Sequence, residues 1–169
     1  MKSLSLDKKG VGRGVIAAII FLFVMSFLTI LGYLLLNSFI TEFSSTAYYS
    51  SEVQYVGETF LNSLRTLDYV IPLIMIIFII GIAVTSYKVA SAPVFFLITF
   101  VMAAMYGFIS YFFVYIFSQI VSQPIFTATI LYFPNTILIC TNLHWVSLIM
   151  LLVGSIALYG KKEKGQFVE

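Results

Sequence analysis

The stretch Tyr69-Val70-Ile71-Pro72-Leu73-Ile74-Met75-Ile76-Ile77-Phe78-Ile79-Ile80-Gly81-Ile82-Ala83-Val84-Thr85-Ser86-Tyr87 decides the fold. Asp68 and Lys88 bracket these 19 uncharged residues. At about 1.5 Å per residue such a helix rises about 28 Å, close to the ~30 Å hydrocarbon core of a bilayer. Its side chains are apolar nearly all round, as befits a helix surrounded by lipid. We read a transmembrane helix over about 69–87.

The rest of the chain agrees with that segment. Of 169 residues, 61% are hydrophobic, 17% aromatic and 9% charged, and the mean hydropathy is +1.06. Ordinary soluble domains carry about a quarter charged residues. These proportions exclude a soluble enzyme, a disordered chain and a secreted disulfide scaffold, and leave an integral membrane protein. Cys140 is the single cysteine, so no intrachain disulfide can form. Its apolar surroundings read as a small buried core residue.

Charge gaps give the other spans. Arg13 and Glu42 bracket 28 uncharged residues, enough for one crossing over about 15–39. Lys88 and Lys161 bracket 72, enough for two crossings and a connector. We place these at about 93–120, with Pro93 in the first helical turn, and at about 143–159, with a start as early as Thr136 also open, ended by Gly160 and a basic run. The expected fold is all-α: one membrane domain over 1–169, with four transmembrane helices in one bundle. The short turn from Lys88 to Ala92 predicts that helices two and three are antiparallel neighbours.

The first apolar run is far longer than the core of a cleaved signal peptide and reads as an uncleaved anchor. The leader Lys9-Gly10-Val11-Gly12-Arg13-Gly14 lacks the Gly-Lys-Ser/Thr ending of a phosphate loop. It reads as a flexible basic arm. With four spans, Lys2, Lys8, Lys9, Arg13, Lys88, Lys161, Lys162 and Lys164 lie on one side and Arg65 on the other. The positive-inside rule then predicts cytoplasmic termini. The net charge of +2 is too mild to point to nucleic acid. Lys8, Lys9, Arg13, Lys88, Lys161, Lys162 and Lys164 are candidates for lipid or partner contact, each contributing about 1 kcal/mol near an anionic leaflet.

Between the first two spans, Glu42, Glu52, Glu58 and Asp68 outnumber Arg65. From Glu52 onward Val53, Val56, Phe60, Leu64 and Leu67 recur at helical spacing. This predicts an amphipathic extension before helix two, with Ser51 as its cap and a kink at Pro72. The stripe suits packing on the helix-one extension, lying on lipid or meeting a partner; we expect the first. The connector 121–142 holds Pro124, Pro134 and Asn135, which oppose one continuous helix, yet it is apolar throughout. An interfacial hairpin, a re-entrant turn or a cover over the bundle end would each shelter it; we expect an interfacial cap on the bundle.

Chemistry-bearing residues are sparse. His144 is the single histidine and stands beside Trp145 at the expected membrane boundary, where aromatic belts form. Cys140 and His144 offer two metal ligands, whereas a structural zinc site needs four. No nucleophile–base set is spaced for catalysis, and the carboxylates fall on short, exposed segments. No span has a charged residue at its centre, the usual mark of a transport path. Catalysis, cofactors and metals are therefore not expected. Ala103, Gly107 and Ser110 place small residues on one side of helix three, a pattern that lets helices approach closely, within the chain or in a homo-oligomer.

Five strings carry a resemblance: Leu31-Gly32-Tyr33-Leu34-Leu35-Leu36-Asn37-Ser38-Phe39; Phe60-Leu61-Asn62-Ser63-Leu64 before Asp68; Ala92-Pro93-Val94-Phe95-Phe96-Leu97; Tyr132-Phe133-Pro134-Asn135-Thr136; and Ala157-Leu158-Tyr159-Gly160-Lys161. In this order they resemble small multi-span virion membrane proteins of tailless icosahedral viruses with an internal lipid membrane. The likeness covers about residues 31–161. Many such proteins carry His where this chain has Ala92. The resemblance implies a structural protein of a viral internal membrane that packs lipid and contacts the capsid shell, with no catalytic residues. Two other functions fit the composition: a holin-like pore-forming lysis protein, and an accessory subunit of a cellular membrane complex. A holin would depolarise cells abruptly on expression, and a cellular subunit would travel with host partners.

Overall fold

The computed structural model describes residues 10–46, 49–88 and 94–160, with side chains over 14–46, 49–87 and 101–158. Every regular element among them is helical. They are α1 (Gly10–Phe43), α2 (Ser51–Lys88), α3 (Val94–Val121), the 3-10 turn α4 (Pro124–Phe126), α5 (Thr127–Ile130), α6 (Pro134–Thr141) and α7 (Leu143–Tyr159).

Among the described residues three helices, α1, α2 and α3, are long and apolar enough to cross a membrane, or four candidates if the bent pair over 124–141 counts as one span. The final helix, α7, has 17 residues. That is about 25 Å, the lower end of the crossing range. Its bounds coincide with the span expected over 143–159. Large apolar side chains point outward all along the bundle, among them Phe21 and Leu28 on α1, Leu73, Ile77 and Ile80 on α2, Phe108 and Phe112 on α3, and Leu152 and Ile156 on α7. Water would not tolerate such a surface, and lipid requires it. The chain is an all-α membrane bundle.

Two stacked clusters form the core. The first gathers Val15, Ala18, Ile19 and Leu22 of α1, Ile71 and Ile82 of α2, Tyr106 of α3, Ile139 of α6, and Leu143, Val146, Met150 and Leu151 of α7. It is largely aliphatic. The second gathers Ile30, Tyr33 and Leu34 of α1, Leu61 of α2, Phe117 of α3, then Phe126, Phe133 and Cys140 from the connector. It is aromatic and lies toward the α1–α2 turn, hereafter the hairpin end.

Four sequence expectations change. Helices α2 and α3 are not principal neighbours, because α7 packs on both of them. A five-residue gap constrains how far apart two helix ends lie; it does not keep a third helix from entering between them. The apolar stripe before helix two packs on its own chain only at its end: Val53, Val56 and Phe60 are 40%, 58% and 62% exposed, whereas Leu64 and Leu67 are half-buried and Leu64 packs on the aromatic cluster. Over its first turns the inward seam runs one position later, through half-buried Gly57 and buried Leu61, and continues to buried Asp68 and Ile71. Gly57 lies on the side that faces α1. A Cβ there would lie 2.8 Å from Ile40 Cδ1, so the bare glycine lets α1 and α2 approach. The cap of α2 is Ser50, whose Oγ accepts the Val53 N–H at 3.4 Å, and Ser51 is the first helical residue. At the other terminus of the hairpin pair, the backbone is already helical from Gly10, where a flexible arm was expected.

Pro72 sits inside α2 without ending it. It lacks the N–H that would bond the Asp68 carbonyl. Lys8, Lys9, Lys161, Lys162 and Lys164, and the start of the third span at Ala92–Pro93, lie outside the described residues. Arg13 and Lys88 are placed by their helix backbone alone.

Candidate functional site

The connector 121–142 folds as a bent pair, α4–α5 and α6, that turns through 118°. It is tucked against α1, α2 and α3 at the hairpin end. Phe126 and Phe133 drive its placement by burying in the aromatic cluster. Phe133 meets the Tyr33 ring edge-on, with centroids 5.3 Å apart.

A helix beginning at Pro134 needs acceptors for its first N–H groups. Proline itself has none to satisfy, and Phe133 has no side chain that can cap. Asp68 supplies the acceptors from α2. Its Oδ1 accepts the Thr136 N–H at 2.7 Å. Its Oδ2 accepts the Asn135 N–H at 3.2 Å and the Asn135 Nδ2 at 2.9 Å. The carboxylate is 2% exposed, contrary to the exposed position expected from its place in the sequence. Its negative charge also meets the positive end of the α6 dipole. A charge removed from water this completely is tolerable only when its oxygens are satisfied in this way.

One turn before Asp68, Arg65 clamps the same junction. Its guanidinium carbon lies 4.0 Å from the Tyr132 ring centre and 5.3 Å from that of Tyr33. Nη2 and Nε donate to the Tyr33 hydroxyl at 2.6 and 3.2 Å. Nη1 donates to Asn62 Oδ1 at 3.3 Å. Two charged residues of α2 thus hold the connector, one through hydrogen bonds and one through aromatic faces. Neither Arg65 nor Asp68 stood out as a site residue in the sequence. Their spacing of three, at the polar edge of a span, is the signal that could have singled them out.

The small residues of α3 separate in the structure. Ser110 is fully buried and shares a hydrogen bond of 2.9 Å with Ser147 of α7. Ala103 packs on the aliphatic cluster. At Gly107 nothing lies within 4 Å of the position a Cβ would take, so this glycine marks no close approach within the chain. His144 contacts the Tyr111 and Trp145 rings, and its Nδ1 is buried without a partner. Among the described residues no three His, Cys, Asp or Glu side chains gather as metal ligands.

No known protein family, curated protein or solved structure matches the chain. The functional reading therefore rests on the molecule itself.

Proposed function

We propose that the chain is a structural protein of a viral internal membrane, packing lipid with its outer surface and contacting a capsid shell through its basic ends. One observation carries this reading. Three of the strings behind the resemblance converge at the junction just described. Tyr33 comes from the first, Asn62 from the second, and Tyr132, Phe133, Asn135 and Thr136 from the fourth. Residues from three of the five strings are thus in contact in the folded chain. A bundle closed at one end by a clamped cap suits a scaffold whose task is to hold its shape.

In this reading the termini and Lys88 face the cytoplasm, as the bias of eight cations against one requires. A particle membrane formed by inward budding would turn that face toward the shell. Lys8, Lys9, Arg13, Lys88, Lys161, Lys162 and Lys164 would then meet acidic capsid surfaces, and the acidic hairpin tip with Glu42, Glu52 and Glu58 would face the particle interior. A pore-forming role draws less support, because the outward faces of α2, α3 and α7 are mostly Ile, Leu, Val and Phe, with Tyr111 and Tyr115 the polar-tipped exceptions on α3.

Mass spectrometry across a density gradient of lysate from producing cells tests the proposal. Co-banding with a major capsid protein and lipid at fixed stoichiometry is the expected result. Particles that band without this chain, while it stays with host membranes, would exclude the virion role and favour the lysis or cellular-subunit functions.

A further inference from the structure

The Arg65 clamp is incomplete as a purely internal contact. A guanidinium has five N–H donors. Three are used, two by the Tyr33 hydroxyl and one by Asn62. One donor on each terminal nitrogen is left over. Every partner of Arg65 among the described residues is neutral. The nearby carboxylate of Asp68 is occupied by Asn135 and Thr136. Arg65 is itself partly exposed. The positive charge thus keeps one unspent donor on each terminal nitrogen and has neutral partners only.

Depth identifies that anion. The uncharged span begins at Tyr69, which is exposed. Arg65 lies four residues earlier, about 6 Å along the helix. Each headgroup layer of a bilayer is about 5–8 Å thick. Arg65 is thus carried at the height of the lipid phosphates. Paired N–H groups of arginine match two oxygens of a phosphate, with a geometry that lysine does not offer. Stacking on Tyr132 and the two hydrogen bonds to the Tyr33 hydroxyl hold the guanidinium in place before any ligand arrives, which removes most of the ordering cost of binding.

We propose that Arg65, positioned by Tyr33, Asn62 and Tyr132, binds the phosphate group of a phospholipid in the leaflet at the hairpin end. The ligand chemistry is a phosphate oxygen pair. The inference rests on the membrane assignment and not on the virion reading, so the gradient experiment and this one fail separately.

The test uses the full chain in detergent micelles, with lipid retention read by native mass spectrometry. The probes are phosphatidylglycerol, phosphatidylcholine and a galactosyl diacylglycerol with the same acyl chains. Both phospholipids should be retained several-fold more than the galactolipid. Arg65→Lys should reduce that preference and Arg65→Gln should abolish it, while Ser110→Ala leaves it intact. Circular dichroism and elution volume establish folding of each variant, and the wild-type comparison between headgroups stands without any variant. Equal retention of galactolipid and phospholipid would overturn the proposal, as would an unchanged preference in a folded Arg65→Gln protein. Displacement of phospholipid by millimolar inorganic phosphate would assign the site to free phosphate and overturn the lipid assignment.

Discussion

The two stacked parts of the core are held together differently. The aliphatic cluster around Val15, Ile82 and Met150 is built mainly from long helices whose apolar side chains meet at helical spacing, with Ile139 its one residue from the connector. In lipid the hydrophobic effect does little to press such helices together, and close packing supplies the attraction. The aromatic cluster around Tyr33, Phe117 and Phe133 includes short connector pieces that could not stand alone. It depends on Asp68 and Arg65, which join segments far apart in sequence. The contrast shows that a membrane bundle can delegate one end to packing and the other to a few polar contacts.

Removing the cap should separate the two regions most sharply. Asp68→Ala leaves the Asn135 and Thr136 N–H groups without their acceptor, a loss of about 2–4 kcal/mol. Hydrogen exchange in micelles should accelerate across 131–141 while α1 residues 15–22 and α7 keep their protection. Equal acceleration in both regions would show that the core is one cooperative unit. Asp68→Asn retains an acceptor and should fall between wild type and Asp68→Ala.

Tyr132→Leu takes away the ring beneath Arg65. The expected cost is about 1–2 kcal/mol, read as faster proteolysis of the connector with the aliphatic cluster undisturbed. In that cluster, Ser110→Ala and Ser147→Ala probe the one interhelical hydroxyl pair described there. A double-mutant cycle should give a coupling of only about 0.6 kcal/mol, the average for such bonds in membranes. A coupling several times larger would erase the distinction between a packed end and a polar end.

The smallest effect lies beyond both clusters, at the start of α2. Hydrogen bonds from the Ser50 hydroxyl, then from the Glu52 backbone and the Ser51 hydroxyl, hold the Glu52 carboxyl below its ordinary range. A lowered carboxyl stabilises the fold above its unfolded-state value, and that contribution is lost as pH falls through the lowered one. Amide exchange at 51–55 should therefore be slower in wild type than in Glu52→Gln near neutral pH. The difference should disappear in acid.

Much of this architecture was legible in the sequence. Uncharged runs between Arg13, Glu42, Asp68 and Lys88 announced the long helices, because lipid admits no unpaired backbone and few charges. The final described helix, Leu143–Tyr159, starts at the later of the two positions the sequence allowed, 143 rather than 136. The junction was not legible. Asp68 reads as a boundary charge, and its burial depends on Asn135 and Thr136 arriving from 67 and 68 residues away. The face of α2 was misjudged by one position for a similar reason. Hydrophobicity favours the row of Val53, Val56 and Phe60, whereas α1 meets α2 at Gly57, where the Ile40 side chain takes the space a Cβ would fill.

That 67-residue separation between Asp68 and Asn135 also sets an order of assembly. Chains emerge during synthesis at roughly 5–20 residues per second, so the partner of Asp68 follows it by about 3–13 s. For that interval α1 and α2 are present while the acceptor on α2 has nothing to receive. Its location at the edge of the span, where water still reaches, lets the carboxylate wait hydrated until α3 has threaded and the connector folds back. A carboxylate one or two turns deeper would have to survive the same delay in hydrocarbon. The site that locks the finished bundle is placed where an unfinished one can tolerate it.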